Sequence, residues 1–294
     1  MAAITAEEMR ELVARALAED LGDGDVTGEA TVPAEATATA RIVQKAPGVV
    51  FGLDLVVETM AQTGVAEVDT LTAEGEWRQD VPAEVLVARG SARALLAAER
   101  TALNFLGHLS GVATLTARYV ERVTGTDAKI LDTRKTTPGL RRLEKAAVAA
   151  GGGTNHRMGL FDAFLIKENH IAAAGSIAKA VYAARKAHPE LPIEVEVENL
   201  DDTAYALGTG ADQLLLDNMD PPTMRAAVEL RDAHSPGDGK PTLEASGGVN
   251  LETVRAYAET GVDFISVGAL THSAPVLDFS LLLRADRDSG QTER

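Results

Sequence analysis

The sequence predicts an α/β protein: an open, incomplete α/β barrel with a smaller β-rich α+β domain at the N-terminus. Three observations predict it. From Lys129 onward, six strand-like runs (KILD, DAFLIK, IEVEVE, DQLLLD, TLEAS and DFISVG) alternate with helical segments such as GSIAKAVYAARKAH and LETVRAYAETG. That alternation gives a parallel sheet with right-handed crossovers and its helices outside. A polar or small residue closes each run, at Asp132, Lys167, Glu196, Asp217, Ser246 and Gly268, with intervals of 35, 29, 21, 29 and 22 residues, one βα unit each. Between Ala38 and Val87 the texture differs, with short strands (ATARIVQ, GVVFG, AEVDTLT, AEVLVARG) broken by glycine-containing turns, the signature of a small β domain. Six strands are too few for a full (β/α) barrel, so the barrel is incomplete or borrows strands from elsewhere.

The bulk numbers set bounds. The chain has 294 residues, 45% hydrophobic and 24% charged, with net charge −16 and no cysteine. A chain of this length can bury a large core. No apolar run is long enough to span a bilayer. The absence of cysteine excludes disulfides and thiolate metal sites and makes a cytoplasmic location the default. The acidic balance argues against nucleic acid as a partner.

Along the chain, residues 5–20 form an amphipathic helix with Thr5 and Glu8 as a capping box, and 22–33 is turn-rich. Lys45, between short strands, has the setting of a lipoyl carrier lysine, but no flexible linker makes a separable carrier module. Residues 91–110 form a helix capped by Ser91 and apolar nearly all round, hence buried. It carries one polar stripe, Arg100, Asn104 and His108. A buried arginine needs a partner, either Glu99 or Glu121 within the chain or an anionic ligand. The expected division is a β-rich domain over 1–110, a barrel domain over 111–283 and a frayed tail over 284–294.

The chemistry concentrates between Lys129 and His170, which holds eight Lys/Arg against four Asp/Glu in an acidic chain. Its cations alternate with buried strands, which favours a pocket for a small polyanion over a solvated basic face. Strand ends of a parallel barrel meet on one rim, where such folds place their active sites. In Ile193-Glu194-Val195-Glu196-Val197-Glu198 the valines suit the helices, so the three glutamates point inward, where Arg134, Lys135 and Lys167 can balance them. Ser246-Gly247-Gly248 and Ser266-Val267-Gly268 each end a strand in small residues before a helix. Their backbone N–H groups and the helix N-termini suit a phosphate. His188 and His234 read as surface residues, whereas His156, His170 and His272 lie near the rim. No HExxH or comparable spacing occurs, so zinc is not expected.

Together the runs Glu99-Arg100-Thr101-Ala102-Leu103-Asn104, Leu109-Ser110-Gly111-Val112-Ala113, Asp132-Thr133-Arg134-Lys135-Thr136, Gly151-Gly152-Gly153-Thr154-Asn155-His156-Arg157, Leu165-Ile166-Lys167-Glu168-Asn169-His170, Leu215-Leu216-Asp217-Asn218 and Ser266-Val267-Gly268-Ala269-Leu270 resemble the quinolinate phosphoribosyltransferase family, the decarboxylating nicotinate-nucleotide pyrophosphorylases. The likeness runs from about residue 10 to 283. Ala146 and Met158 stand where the family more often has tyrosine and leucine. The resemblance implies transfer of phosphoribosyl from phosphoribosyl pyrophosphate to quinolinate, giving nicotinate mononucleotide, pyrophosphate and CO₂ in NAD biosynthesis. It further implies Mg²⁺, a homodimer, and an arginine from the partner's N-terminal domain in the pocket, matched here by Arg100.

With that reaction, guanidinium forks suit the two carboxylates of quinolinate. Arg134, Arg157 and the arginine at position 100 take this role, with Thr133, His156 and Lys167 beside them. Lys135 suits the pyrophosphate. Glu196 and Asp217 suit Mg²⁺ and the ribose diphosphate. Ser246, Gly247, Gly248, Gly268 and His272 suit the 5′-phosphate side. Lys135, Lys167, Glu196 and Asp217 form the expected catalytic set. A nicotinate-using relative would need fewer cations, and a Schiff-base aldolase would use Lys167 as nucleophile.

Overall fold

The computed structural model describes residues 4–234 and 240–286. Its elements run α1 (Ala6–Leu21), α2 (Val26–Thr31), β1 (Thr37–Gln44), β2 (Gly48–Val49), α3 (Leu53–Gln62), β3 (Glu67–Thr70), β4 (Trp77–Arg78), β5 (Ala83–Ser91) and α4 (Ala92–Arg122). There follow β6 (Lys129–Leu131), α5 (Arg141–Ala150), β7 (Phe164–Ile166), α6 (Glu168–Ala174), α7 (Ile177–Ala187), β8 (Ile193–Val197), α8 (Leu200–Leu207) and β9 (Gln213–Asp217). The last are α9 (Pro221–His234), β10 (Thr242–Ser246), α10 (Val254–Ala258), β11 (Phe264–Ser266), α11 (Ala269–His272) and β12 (Phe279–Ala285). The chain divides into two compact units, one drawn from the residues up to Leu115, from 142–151 and from Ala274 onward, the other from 116–141 and 152–273. The expected cut at 110/111 falls inside α4.

The first unit is a four-stranded antiparallel sheet in the order β12-β1-β5-β3. Ala38, Ala40 and Ile42 alternate inward along β1 and pack with Leu86, Met60, Leu95 and Leu106 in one core, as period-two burial requires. The expected tail does not begin at 284: β12 runs on to Ala285 and pairs with β1 from Gln44↔Phe279 to Ala38↔Ala285. Residues 287–294 lie outside the described part.

Three local readings are corrected. Residues 53–62, inside the stretch read as a β-rich domain but in none of its named strand runs, form α3. Glu74 Oε1 accepts from the N–H groups of Gly52 (2.7 Å) and Leu53 (2.6 Å), and Leu53, Val56 and Met60 are buried at helical spacing. A run as rich in Leu and Val as this satisfies either period. Asp25, whose carboxylate accepts from Thr27 and Gly28 N–H, caps the short helix α2 inside the stretch read as turns. Helix α4 continues twelve residues past Ser110 to Arg122, because Gly107 and Gly111 act as close-approach positions and not as breakers. A Cβ at Gly111 would lie 2.2 Å from the Pro275 carbonyl oxygen, and one at Gly107 would lie 2.8 Å from Val276 Cγ1.

The polar stripe of α4 is also not a buried one. Arg100 and Asn104 are exposed, and Arg100 makes no ion pair with Glu99 or Glu121 among the described residues. Only His108 is half-buried, 2.8 Å from the fully buried Glu144 carboxylate.

The second unit holds a six-stranded parallel sheet in the order β6-β11-β10-β9-β8-β7. It does not close. Its edges are β7 and β6, the latter extended by a parallel bridge between Leu131 and Thr154. The order makes consecutive strands β7 to β11 neighbours and returns β6 to the far edge.

One device repeats at the N-terminal ends of the strands. Asp212, just before β9, accepts the N–H of Ile193 on β8 at 2.7 Å and pairs with Arg185 of α7 at 2.6 Å. Asp263, just before β11, accepts the N–H of Leu243 on β10 at 2.8 Å and pairs with Arg231 of α9 at 2.6 Å. Each carboxylate ties a crossover helix to two strands. The copies differ in burial, since the Arg231 side chain is 4% exposed and that of Arg185 37%. Arg231→Met should therefore cost about 2–3 kcal/mol, less than the roughly 3–5 kcal/mol of a fully buried broken pair because the Asp263 side chain is 35% exposed, and Arg185→Met less than about 1 kcal/mol. Urea unfolding of the two variants checks the order.

Candidate active site

The C-terminal ends of the six parallel strands surround a cavity of about 660 Å³. Every residue to which the sequence assigned a substrate, phosphate or metal role, except Arg100, which belongs to the other unit, lines it. Thr133, Arg134 and Lys135 follow β6; His156 and Arg157 come from the segment beside β6. Lys167 follows β7, Glu196 lies on β8 and Asp217 ends β9. Ser246, Gly247 and Gly248 follow β10, and Gly268 and His272 follow β11.

The segment carrying His156 and Arg157 is held by the fully buried Asp132. Its carboxylate accepts from Asn155 Nδ2 at 2.6 Å and from the His156 N–H at 2.9 Å, while Thr154 N–H donates to Ile130 O at 2.8 Å. Arg141 fixes the loop opposite: its guanidinium donates to Thr136 Oγ1 (2.9 Å), Met158 O (3.2 Å) and Arg134 O (3.3 Å). It is thus occupied with framing the pocket, although its residue type is that of an anion ligand.

Two guanidiniums remain directed at the cavity. Arg134 Nε is buried and has no hydrogen-bond partner, a costly state for a charged donor unless an anion meets it. Burial, and then the neighbouring Arg134, lower the pKa of Arg157. Two cations that repel each other at a cavity wall form a receptor for carboxylates or phosphates.

The acidic side is layered. Glu194 and Glu196 point inward from β8, both buried. Glu198, expected as a third, lies past the end of the strand and is exposed; the inward row stops where the pleat stops. Glu196 forms an ion pair with Lys167 Nζ, so residues assigned separately from the sequence share one contact. Asp217 accepts from Asn218 Nδ2 at 2.7 Å. Glu196 and Asp217 stand on adjacent strands with hard oxygen donors facing the cavity, a donor set that fits Mg²⁺.

Beneath the rim lies a deeper layer. His156 Nε2 is 2.9 Å from Glu194 and 3.4 Å from Glu244. Burial alone would lower the His156 pKa, but the two carboxylates outweigh it and raise it to about 10. Burial and then Glu194 push Glu244 up to about 7, against the opposing pull of His156. The layer thus keeps a proton that isolated groups would lose near neutrality. The Arg157 N–H approaches His156 Nδ1 at 2.7 Å, so the ring is engaged at one nitrogen by backbone and at Nε2 by the two carboxylates.

The small-residue turns approach the cavity through backbone. Gly247 has φ +95°, and a Cβ there would lie 2.1 Å from Asn218 Oδ1 and 3.1 Å from Asn218 N. Asn218 itself has φ 53° and donates its N–H to Ser246 O at 2.9 Å. The expected helix N-termini contribute less than anticipated. α11 has four residues and α10 starts only at Val254, so few aligned peptide dipoles stand behind either turn. The cradle rests on individual N–H groups.

Several site residues were missed from the sequence. Glu244 was visible only as a residue of the run TLEAS, and nothing in a single strand shows that its side chain meets His156 across the sheet. Asn218 carried a local signal, a turn asparagine after a strand, which tolerates φ > 0. His170 is no cavity residue: its Nδ1 accepts the Lys167 N–H at 3.0 Å at the start of α6. His188 and His234 are exposed, as expected. Of the two cavity-lining glycines with φ > 0, Gly248→Ala meets nothing within 4 Å and should cost about 1–2 kcal/mol of left-handed strain. Gly247→Ala adds the clash with Asn218 and should lower Tm by clearly more, measurable by thermal unfolding of the pair.

The relatives agree with this architecture. The model for quinolinate phosphoribosyl transferase, C-terminal domain, matches residues 112–282, and that for the N-terminal domain matches 25–110. A nicotinate-nucleotide pyrophosphorylase [carboxylating] of Mycobacterium leprae is 46% identical over 275 residues, 92% of this chain and 96% of the relative. A probable nicotinate-nucleotide pyrophosphorylase [carboxylating] of Bacillus subtilis is 40% identical over 96% of both chains. The solved structure of the nicotinate-nucleotide pyrophosphorylase from Francisella tularensis superposes with a TM-score of 0.88 at 39% identity, covering 96% of this chain and 98% of that one. Matched along both of its domains, the chain belongs to the quinolinate phosphoribosyltransferase family.

Proposed function

We propose that the protein joins the phosphoribosyl group of phosphoribosyl pyrophosphate to the ring nitrogen of quinolinate and releases pyrophosphate and CO₂, leaving nicotinate mononucleotide for NAD synthesis. The observation that carries this reading is the pair Arg134 and Arg157, with the buried Nε of Arg134 unpartnered, on the same cavity as two carboxylates and a glycine-lined turn. The relatives' designation as carboxylating pyrophosphorylases describes the same conversion written in reverse.

Each part of the cavity has a task in this reaction. Arg134 and Arg157 bind the carboxylates of quinolinate, with Thr133, His156 and Lys167 completing the pocket, and so orient the ring nitrogen. The backbone N–H groups at Gly247, Gly248 and Gly268, with Ser246 and His272, hold the 5′-phosphate. Lys135 faces the departing pyrophosphate, where a preorganised cation lowers the barrier as negative charge develops. Glu196 and Asp217 face the ribose, where positive charge develops, and are the residues that would hold Mg²⁺, which would screen the diphosphate. Lys167, paired with Glu196, links the two substrates' sites. Once the ring nitrogen is alkylated, its positive charge stabilises the electron pair left on the ring carbon by departing CO₂, and a proton from solvent then takes the place of CO₂ on that carbon. The direct test is release of CO₂ from carboxyl-labelled quinolinate. It should require both phosphoribosyl pyrophosphate and Mg²⁺; release from nicotinate mononucleotide precursors lacking the second carboxylate, or none from quinolinate, would refute the reading.

The proposed assembly is a cytoplasmic homodimer in which Arg100 enters the partner's cavity. Supporting this, Arg100 is exposed on α4 and has no ion pair among the described residues, so its charge is available to a ligand. Mixing an Arg100→Ala chain with an Arg134→Ala chain should then restore activity, because one site of each mixed dimer is intact. Random exchange within a two-fold dimer predicts about a quarter of wild-type activity per site. No recovery, with exchange verified by mass-tagged chains, would place Arg100 outside the partner's site.

A further inference from the structure

The layer under the cavity is built more carefully than a packing role requires. Gln213 on β9 sits between Glu194 on β8 and Glu244 on β10. Its amide nitrogen donates to Glu194 Oε1 at 2.8 Å and to Glu244 Oε2 at 2.7 Å. Thr242 Oγ1 donates to the amide oxygen of Gln213 at 3.1 Å, which fixes the amide so that its nitrogen faces the carboxylates. The carboxylates then converge on His156 Nε2, while Arg157 N–H engages Nδ1 from the other side at 2.7 Å. The ring is held at both nitrogens. Glu244 is 1% exposed, lines the cavity, and keeps Oε1 without a partner.

Two bare carboxylates beneath a pocket for a dianion would oppose its binding. Their ligand-type atoms and that of His156 lie within 4.8 Å of one another, a spacing that would suit a cation, but the Gln213 amide already supplies the two donors. The arrangement is instead that of a clamp.

We propose that Glu244 is a positioning residue of the carboxylate pocket: with Glu194 and Gln213 it clamps Nε2 of His156 from below, and so sets the ring against the bound aromatic dicarboxylate. The inference rests on the functional reading above, because it needs a carboxylate ligand over His156. The proton that His156 and the two carboxylates retain between them offsets one of the two negative charges under that ligand. Glu244 acts through His156 and touches no reacting atom in this account.

The test compares Glu244→Ala, Glu244→Gln and Glu244→Asp in the full-length enzyme. Glu244→Ala should raise KM for quinolinate about tenfold, the factor carried by one charge-assisted hydrogen bond, and change KM for phosphoribosyl pyrophosphate less than about twofold. Glu244→Gln keeps the shape and an acceptor oxygen, and should recover most of the loss. Histidine-selective ¹⁵N–¹H spectra supply a readout without turnover: the Nε2–H of His156 should exchange measurably faster in Glu244→Ala, where Glu194 alone holds it, than in wild type and Glu244→Gln. An unchanged quinolinate KM, or both KM values rising together, would overturn the proposal. Should the alanine variant fail to fold, Glu244→Asp withdraws the carboxylate from Nε2 and must still raise the quinolinate KM selectively; if it does not, the proposal is wrong. Wild-type enzyme that releases no CO₂ from quinolinate would refute the functional reading instead, and the Nε2–H signal would still test the clamp.

Discussion

A parallel sheet delivers the C-terminal ends of all its strands to one rim, and this chain places charges of both signs there. That constraint shapes the rest of the site. Left unbalanced, Glu194, Glu196, Asp217 and Glu244 would repel one another and any anionic ligand, and the cations would repel in turn. The balance is local. Lys167 meets Glu196, His156 lies between Glu194 and Glu244, and Gln213 bridges the two carboxylates of the lower layer. Outside this pairing stand Asp217, which among the described residues meets only the Asn218 amide, and the cations Arg134, with its orphaned Nε, and Arg157 beside it. The cavity of an acidic protein thus presents an anion receptor on one side and a carboxylate pair on the other.

Stability and chemistry occupy opposite ends of the same strands. At the N-terminal ends, Asp212 and Asp263 each bind an N–H at the start of a neighbouring strand and an arginine of a crossover helix. Those ion pairs are closed and ask nothing of a ligand. At the C-terminal ends, the groups left open are the ones suited to substrate. The open edge between β6 and β7 does not disturb this, because the segment holding His156 and Arg157 runs along β6 and is pinned there by Asp132.

The six barrel strands were legible in the sequence because each is a short apolar run ending in a polar residue, so that both the strand and its functional end are marked locally. The same logic found the cavity's cations and its glycine turns. It failed where the signal is not local. Helix α3 hides in a run whose leucines and valines fit either period. β12 is separated from β1 by most of the chain, and nothing in FSLLLRA names its partner. The stripe at Arg100 was read as buried because Ala and Leu surround it in sequence, whereas Arg100 and Asn104 lie on the outer face of α4. Glu244 and Gln213 escaped because their meaning lies in cross-strand register: Glu194 faces Gln213, and Gln213 faces Thr242.

The central claim is that the cavity is a receptor for two carboxylates at once. Calorimetric titration of the protein with quinolinate and with nicotinate, which lacks one carboxylate, measures this most directly. A second charge-assisted contact predicts that quinolinate binds at least about tenfold more tightly than nicotinate, with the difference shrinking as salt screens the exposed part of the pocket. Equal affinities for the two acids would contradict the account.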